Sequence, residues 1–286
     1  MSQRATSFST LTTGATSSHP GAPARVTSSI LLTASDDLAR QRAILKERLV
    51  LGLRILHKHG FEYHVSPRIT VRDPGDPNTF WVHPIGLAFK LVTSTDLMLV
   101  DRDGNYLGGG GDRCRKINVT ACKVDYPVFT ARPDITTICH IHSTHGMAFS
   151  ALGRHLDMLT QESAVFFEEH NLYAGSGELV SKSQEGREVA EALGKGKAVI
   201  QHNHGLMTVG TTIDSALAWA IVLDKECQVQ LLTLSTGLST VKIPPEDAAL
   251  LRSLGGTEED GVRKAAIYFQ EAEAEYFSES YRKGYP

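Results

Sequence analysis

Two histidine-bearing segments constrain this chain most: Ile138-Cys139-His140-Ile141-His142 and, about sixty residues on, Val199-Ile200-Gln201-His202-Asn203-His204-Gly205. Along a strand, residues two apart face the same way, so His140 and His142 share one face while Cys139 and Ile141 turn to the other. Two apolar strands ending in imidazoles require a sheet whose buried body carries its polar groups to one edge. That placement suits a metal, because imidazole binds zinc, iron, copper and nickel and a catalytic centre typically combines three protein ligands with an open position. The second segment can supply the third ligand. His204, beside the glycine turn, projects from a strand end, and alternation places His202 on the same face as a fourth ligand or an outer partner.

The 286 residues are 41% apolar, enough for a substantial core in one large domain or two small ones. A net charge of -3 supplies no field favouring nucleic acid or an anionic membrane, so a small-molecule substrate is expected. Cys114, Cys122, Cys139 and Cys227 show no C-x-x-C spacing, which argues for reduced thiols and a cytoplasmic location rather than a zinc ribbon or disulfide framework. No run of about 18 apolar residues marks a membrane span. Residues 1–35 lack Asp and Glu, are rich in Ser and Thr and carry Arg4 and Arg25, as a disordered tail does; an organelle transit segment is the alternative.

Leu38, Leu45, Leu49, Leu53 and Leu56 predict an amphipathic helix opened by Ser35 and closed by Gly60. Arg68–Arg72, Phe80–His83 and Leu97–Asp101 read as strands, Gly108 to Gly111 as a flexible connection, and Asp125–Thr130 as a short helix capped near Asp125. Ser183–Leu193 and Asp214–Thr233 read as helices, with a loop over Gly175–Val180 and strands at Ala198–His204 and Leu206–Val209 hinged at Gly205. One α/β domain over 36–240 is expected, followed by a charged and aromatic C-terminal extension, 241–286, packed on or near the active site.

With these segments placed, the chain resembles the class II aldolase/adducin family. The landmarks are Ile69-Thr70-Val71-Arg72-Asp73, Gly86 within His83-Pro84-Ile85-Gly86, Ala131-Arg132-Pro133-Asp134 just before the His-x-His strand, and His202-Asn203-His204-Gly205-Leu206 followed by Val209-Gly210. The resemblance implies a three-layer α/β/α fold with a central, mainly antiparallel sheet. It also implies a homotetramer with active sites at subunit interfaces and metal ligands at His140, His142 and His204. Family chemistry is reversible aldol cleavage of sugar phosphates on a divalent metal; relatives include epimerases, a dehydratase, decarboxylases, iron-dependent oxygenases and the non-enzymatic adducins. A mobile C-terminal tail closes the site in some of them, which draws attention to Tyr276, Tyr281 and Tyr285.

The chain departs from the sugar-phosphate aldolases in two places. Their catalytic glutamate, about nineteen residues before the first metal histidine, falls on Ala121, which offers neither a ligand oxygen nor a proton acceptor. Asp125 and Glu162 are candidate replacements, and His145, three residues past the strand, is a candidate for substrate contact or proton transfer. The loop before Ile69 reads Val65-Ser66-Pro67-Arg68, where proline has no N–H to donate and Arg68 brings a planar guanidinium suited to a carboxylate. Arg68 is therefore assigned to substrate binding, and the resemblance adds Gly86.

The expected function is that of a metal-dependent lyase, by aldol cleavage, dehydration or decarboxylation, acting on a small hydroxy or keto carboxylic acid through a metal-stabilised enolate, with zinc as the cofactor. A non-haem iron oxygenase holding Fe(II) is the first alternative, since three histidines leave open positions and that chemistry needs no acid/base glutamate. A non-catalytic adducin-like scaffold is the second.

Overall fold

A computed structural model describes residues 34–112, 116–175 and 182–282. Residues 1–33 of the expected 1–35 tail, most of the Gly175–Val180 loop, Cys114 and Tyr285 lie outside the described residues. Among the described residues no helix is long and apolar enough to cross a membrane.

An eight-stranded sheet runs through the centre. In chain order its strands are β1 (Arg68–Arg72), β2 (Thr79–Val82), β3 (Met98–Asp101), β4 (Tyr106–Gly109), β5 (Thr137–Ile141), β6 (His170–Tyr173), β7 (Ala198–Gln201) and β8 (Gly205–Gly210). Their spatial order is β4-β3-β2-β1-β5-β8-β7-β6, antiparallel throughout except for the parallel β6–β7 pair. The helices are α1 (Ala34–Lys58), α2 (Val119–Ala131), α3 (Thr144–Ser150), α4 (Gln161–Ala164), α5 (Lys182–Leu193), α6 (Ile213–Ser235), α7 (Pro245–Gly255) and α8 (Glu258–Arg282).

Alternation along the strands sorts the core into two halves. Ile69, Val71, Cys139, Ile141, Ile200 and Leu206 face the layer containing α1, α6 and α8. Ile138, Val199, Met207 and Val209 face α2 and α5 on the other side. This is the expected three-layer α/β/α architecture. Leu49, Leu53 and Leu56 are fully buried, and Gly60 takes a φ of 72° just past α1, the left-handed end that favours glycine.

Two expectations, on the helix around Asp125 and on the tetraglycine, need correction. The helix around Asp125 starts at Val119, with the Asn118 side chain accepting a hydrogen bond from the Ala121 N–H, and it runs through Pro127. Proline cannot bond the Lys123 carbonyl one turn back, and Gly186 of α5 packs tightly there: a Cβ on it would lie 2.9 Å from the Lys123 oxygen and 2.6 Å from that of Val124. The tetraglycine is not a free connection, because Gly108 and Gly109 pair with Leu99 and Met98 as an edge strand. The aromatic C-terminal region is the long helix α8, whose Ala265, Phe269 and Ala272 recur at helical spacing and are buried. It packs on α1 and α6, and no described α8 residue lines the histidine cavity.

Candidate metal centre

His140 lies inside β5, 1% exposed, and His142 lies one residue beyond the end of that strand. His204 closes a tight reversal: β7 ends at Gln201, β8 starts at Gly205, and the three residues between them turn the chain, with Asn203 at a φ of 52°. The His204 N–H donates to the Gln201 carbonyl at 3.1 Å and lies 3.2 Å from the Ser150 hydroxyl, which ties the turn to α3.

The three rings face one another, with centroids 4.8 Å (His140–His142), 5.0 Å (His140–His204) and 4.7 Å (His142–His204) apart. Their candidate ligand nitrogens all lie within 4.8 Å of one another, and the two Nε2 atoms of His140 and His142 are 2.9 Å apart. Burial, reinforced by the His204 ring and Arg68, lowers the pKa of His142 to about 4; burial and then Arg68 do the same to His204. For His140, burial and then Arg68 push the value well below the ordinary histidine range. All three are therefore neutral near pH 7, with ring lone pairs available.

Two imidazole nitrogens at about 2.0–2.1 Å from one tetrahedral ion sit about 3.3 Å apart, a separation that falls inside the range these nitrogens span. The residues fit a divalent metal. No carboxylate belongs to the group among the described residues.

Gly205 is required by closeness. A Cβ there would lie 2.5 Å from the Ile141 carbonyl oxygen and 2.9 Å from Cδ2 of His142. Gly205→Ala is expected to displace His142 and weaken metal affinity by about ten- to a hundredfold, read by chelator competition, with helix content retained.

His140 and His204 border a cavity of about 350 Å³ whose wall includes Arg68, Ala121, Gln201 and the Lys182–Glu185 pair. Arg68 stands opposite His140 in the β1–β5 register, but its guanidinium is already committed. Its Nε donates to Asp125 Oδ2 at 2.8 Å and Nη2 donates to Oδ1 at 2.5 Å, while Nη1 reaches the Ser66 carbonyl at 3.2 Å. Thr70 Oγ1 adds a 2.6 Å bond to Asp125 Oδ2. Burial opposes the charge on Arg68, yet the adjacent Asp125 more than offsets it and raises the pKa above the ordinary arginine value. Asp125, 1% exposed, is thus a buried counter-ion rather than a free base, and Arg68 is not free to clamp a substrate carboxylate.

The other candidates also move. Glu162 lies on α4, beside α6 and α7, and takes Lys264 of α8 at 2.7 Å; His145 points to Asp224 of α6 at 3.5 Å. Both belong to the layer across the sheet from the cavity. Gly86 adopts a φ of 85°, and its neighbour Ile85, not Gly86, lines the cavity. Alternation fails for His202 because the chain has already turned; its ring lies against Gly153. Gln201, Lys182 and Glu185 were missed. Gln201 shares a strand face with Val199 and was open to discovery by alternation, whereas the Lys182–Glu185 pair, 2.6 Å apart, reaches the cavity only through the docking of α5 on α2.

The family model for the class II aldolase and adducin N-terminal domain matches residues 47–231. The chain belongs to the class II aldolase/adducin family. Its likeness extends to a solved structure described as L-fuculose 1-phosphate aldolase from Glaciozyma antarctica PI12, 43% identical, with a TM-score of 0.76 over 83% of this chain and 91% of that one. Decarboxylase NovR of Streptomyces niveus is 38% identical over 77% of this chain and 81% of its own length. A 4-hydroxy-3-prenylphenylpyruvate oxygenase/4-hydroxy-3-prenylbenzoate synthase of Streptomyces roseochromogenus subsp. oscitans is 38% identical over 75% of this class II aldolase-type chain and 76% of its own length.

Proposed function

We propose that this class II aldolase-type chain is a metal-dependent lyase acting on a small hydroxy-carbonyl compound. The observation that carries the reading is the convergence of three neutral imidazoles, with His140 and His204 on the wall of one cavity and His142 packed against them. His140, His142 and His204 hold the cation, with zinc the leading candidate, and a cation bound there supplies Lewis-acid charge for an enolate-forming step. The cavity admits a small molecule, and burial, with the charge of Arg68 adding to it, keeps the histidines deprotonated and available as ligands. The pairing of Arg68 removes the specific reason to expect a carboxylate substrate. Lys182, with its side chain 47% exposed, stands at the cavity wall paired with Glu185 at 2.6 Å.

The named aldolase and decarboxylase relatives support an enzyme over a scaffold. We assign a homotetramer on the family pattern, with exposed Val65 of the cavity wall available to a neighbouring subunit, and a cytoplasmic location on the buried free thiols of Cys122, Cys139 and Cys227. An iron oxygenase is the second reading, favoured by the all-histidine group, by Ala121 in the cavity wall and by the oxygenase relative. Incubating metal-loaded protein with a panel of hydroxy-carbonyl compounds, under product NMR and an oxygen electrode, separates the two. Cleavage, dehydration or decarboxylation without oxygen uptake is expected; oxygen uptake matching turnover would replace the lyase with the oxygenase.

A further inference from the structure

Gln201, the last residue of β7, is 1% exposed, and its Oε1 is buried without a hydrogen-bond partner among the described residues. A buried acceptor left unpaired is unfavourable, and an apolar residue of similar size would fill the position without that cost. Val199, two residues earlier on the same face, is such a residue and packs against the α2 and α5 layer. The polar pair at the cavity wall does not serve Gln201, since the Lys182 ammonium is held by Glu185.

Sheet register sets where the amide stands. Gln201 pairs with Gly205 across the β7–β8 hairpin, and a Cβ on Gly205 would meet the His142 ring. His142 and Gln201 therefore flank one residue that has no side chain, and Gln201 lines the same cavity as His140 and His204.

We propose that Gln201 is a positioning and specificity-determining residue that accepts a hydrogen bond from a ligand hydroxyl beside the histidine centre. The inference rests on that cavity being the substrate site. An amide oxygen needs a donor, and an ionised carboxylate or phosphate has none to give. The contact therefore selects a hydroxy-carbonyl compound over its deoxy analogue.

The test uses two chelating probes that differ by one hydroxyl, acetohydroxamate and glycolohydroxamate, titrated calorimetrically into metal-loaded full-length protein. The wild type is expected to favour glycolohydroxamate about tenfold, the scale of one hydrogen bond. Gln201→Met is expected to reduce that ratio to about one while metal content and acetohydroxamate affinity stay unchanged, and Gln201→Glu, which keeps an acceptor, is expected to retain a preference. Gln201→Leu serves as a second apolar variant should the methionine form not fold. An equal probe ratio in wild type and variant would overturn the assignment, as would a lowered melting temperature with the ratio unchanged, which marks a structural amide. Wild-type protein that retains no metal would instead overturn the metal reading on which the assignment stands.

Discussion

His140→Ala is expected to remove bound metal and activity together. The ring sits inside β5 with β1 and β8 on either side, so no neighbouring loop can bring a replacement ligand to the same point. Two histidines remain, on the strand end and the turn, and a two-imidazole site leaves most of the coordination sphere to solvent. Elemental analysis of anaerobically purified protein should fall from about one ion per chain to below about a tenth, because metal affinity depends steeply on ligand number. Circular dichroism should show a retained fold, since the strand stays paired through its backbone. An active variant without metal would exclude the proposed role.

The second large effect concerns stability. Asp125→Ala leaves the Arg68 guanidinium buried beside His140 with two of its nitrogens unpaired, and Thr70 loses its acceptor. Breaking a buried pair from one side typically costs about 3–5 kcal/mol, which urea unfolding should register as a large fall in midpoint. Removing both charges, as Arg68→Met with Asp125→Leu, should recover most of that loss, because no uncompensated charge remains. The same variants separate the counter-ion role from the catalytic one predicted from sequence. A free base replaced by asparagine would lose activity with stability intact; here Asp125→Asn should lower stability as well, since its amide nitrogen cannot accept from the guanidinium.

What was legible in the chain followed local physics. The His-x-His spacing brought two imidazoles together, the glycine beside His204 marked the turn, and the strands β1 to β3 emerged within a residue or two of their observed bounds. What was hidden was tertiary. Arg68 and Asp125 each looked like an isolated functional group, yet helix α2 begins six residues before Asp125 and directs that side chain at β1. Glu162 and His145 lay close to the motif in sequence but turn toward α8 and α6, a choice of sheet face that no local pattern displays. The parity rule that paired His140 with His142 failed for His202 because a turn had already ended the strand.

X-ray absorption at the metal edge of the anaerobically purified protein tests the shared role of His140, His142 and His204 most directly. Three imidazole nitrogens at about 2.0–2.1 Å, with the remaining positions filled by light atoms, are expected. An edge spectrum lacking imidazole back-scattering, or a first shell dominated by sulfur or carboxylate, would contradict a three-histidine centre.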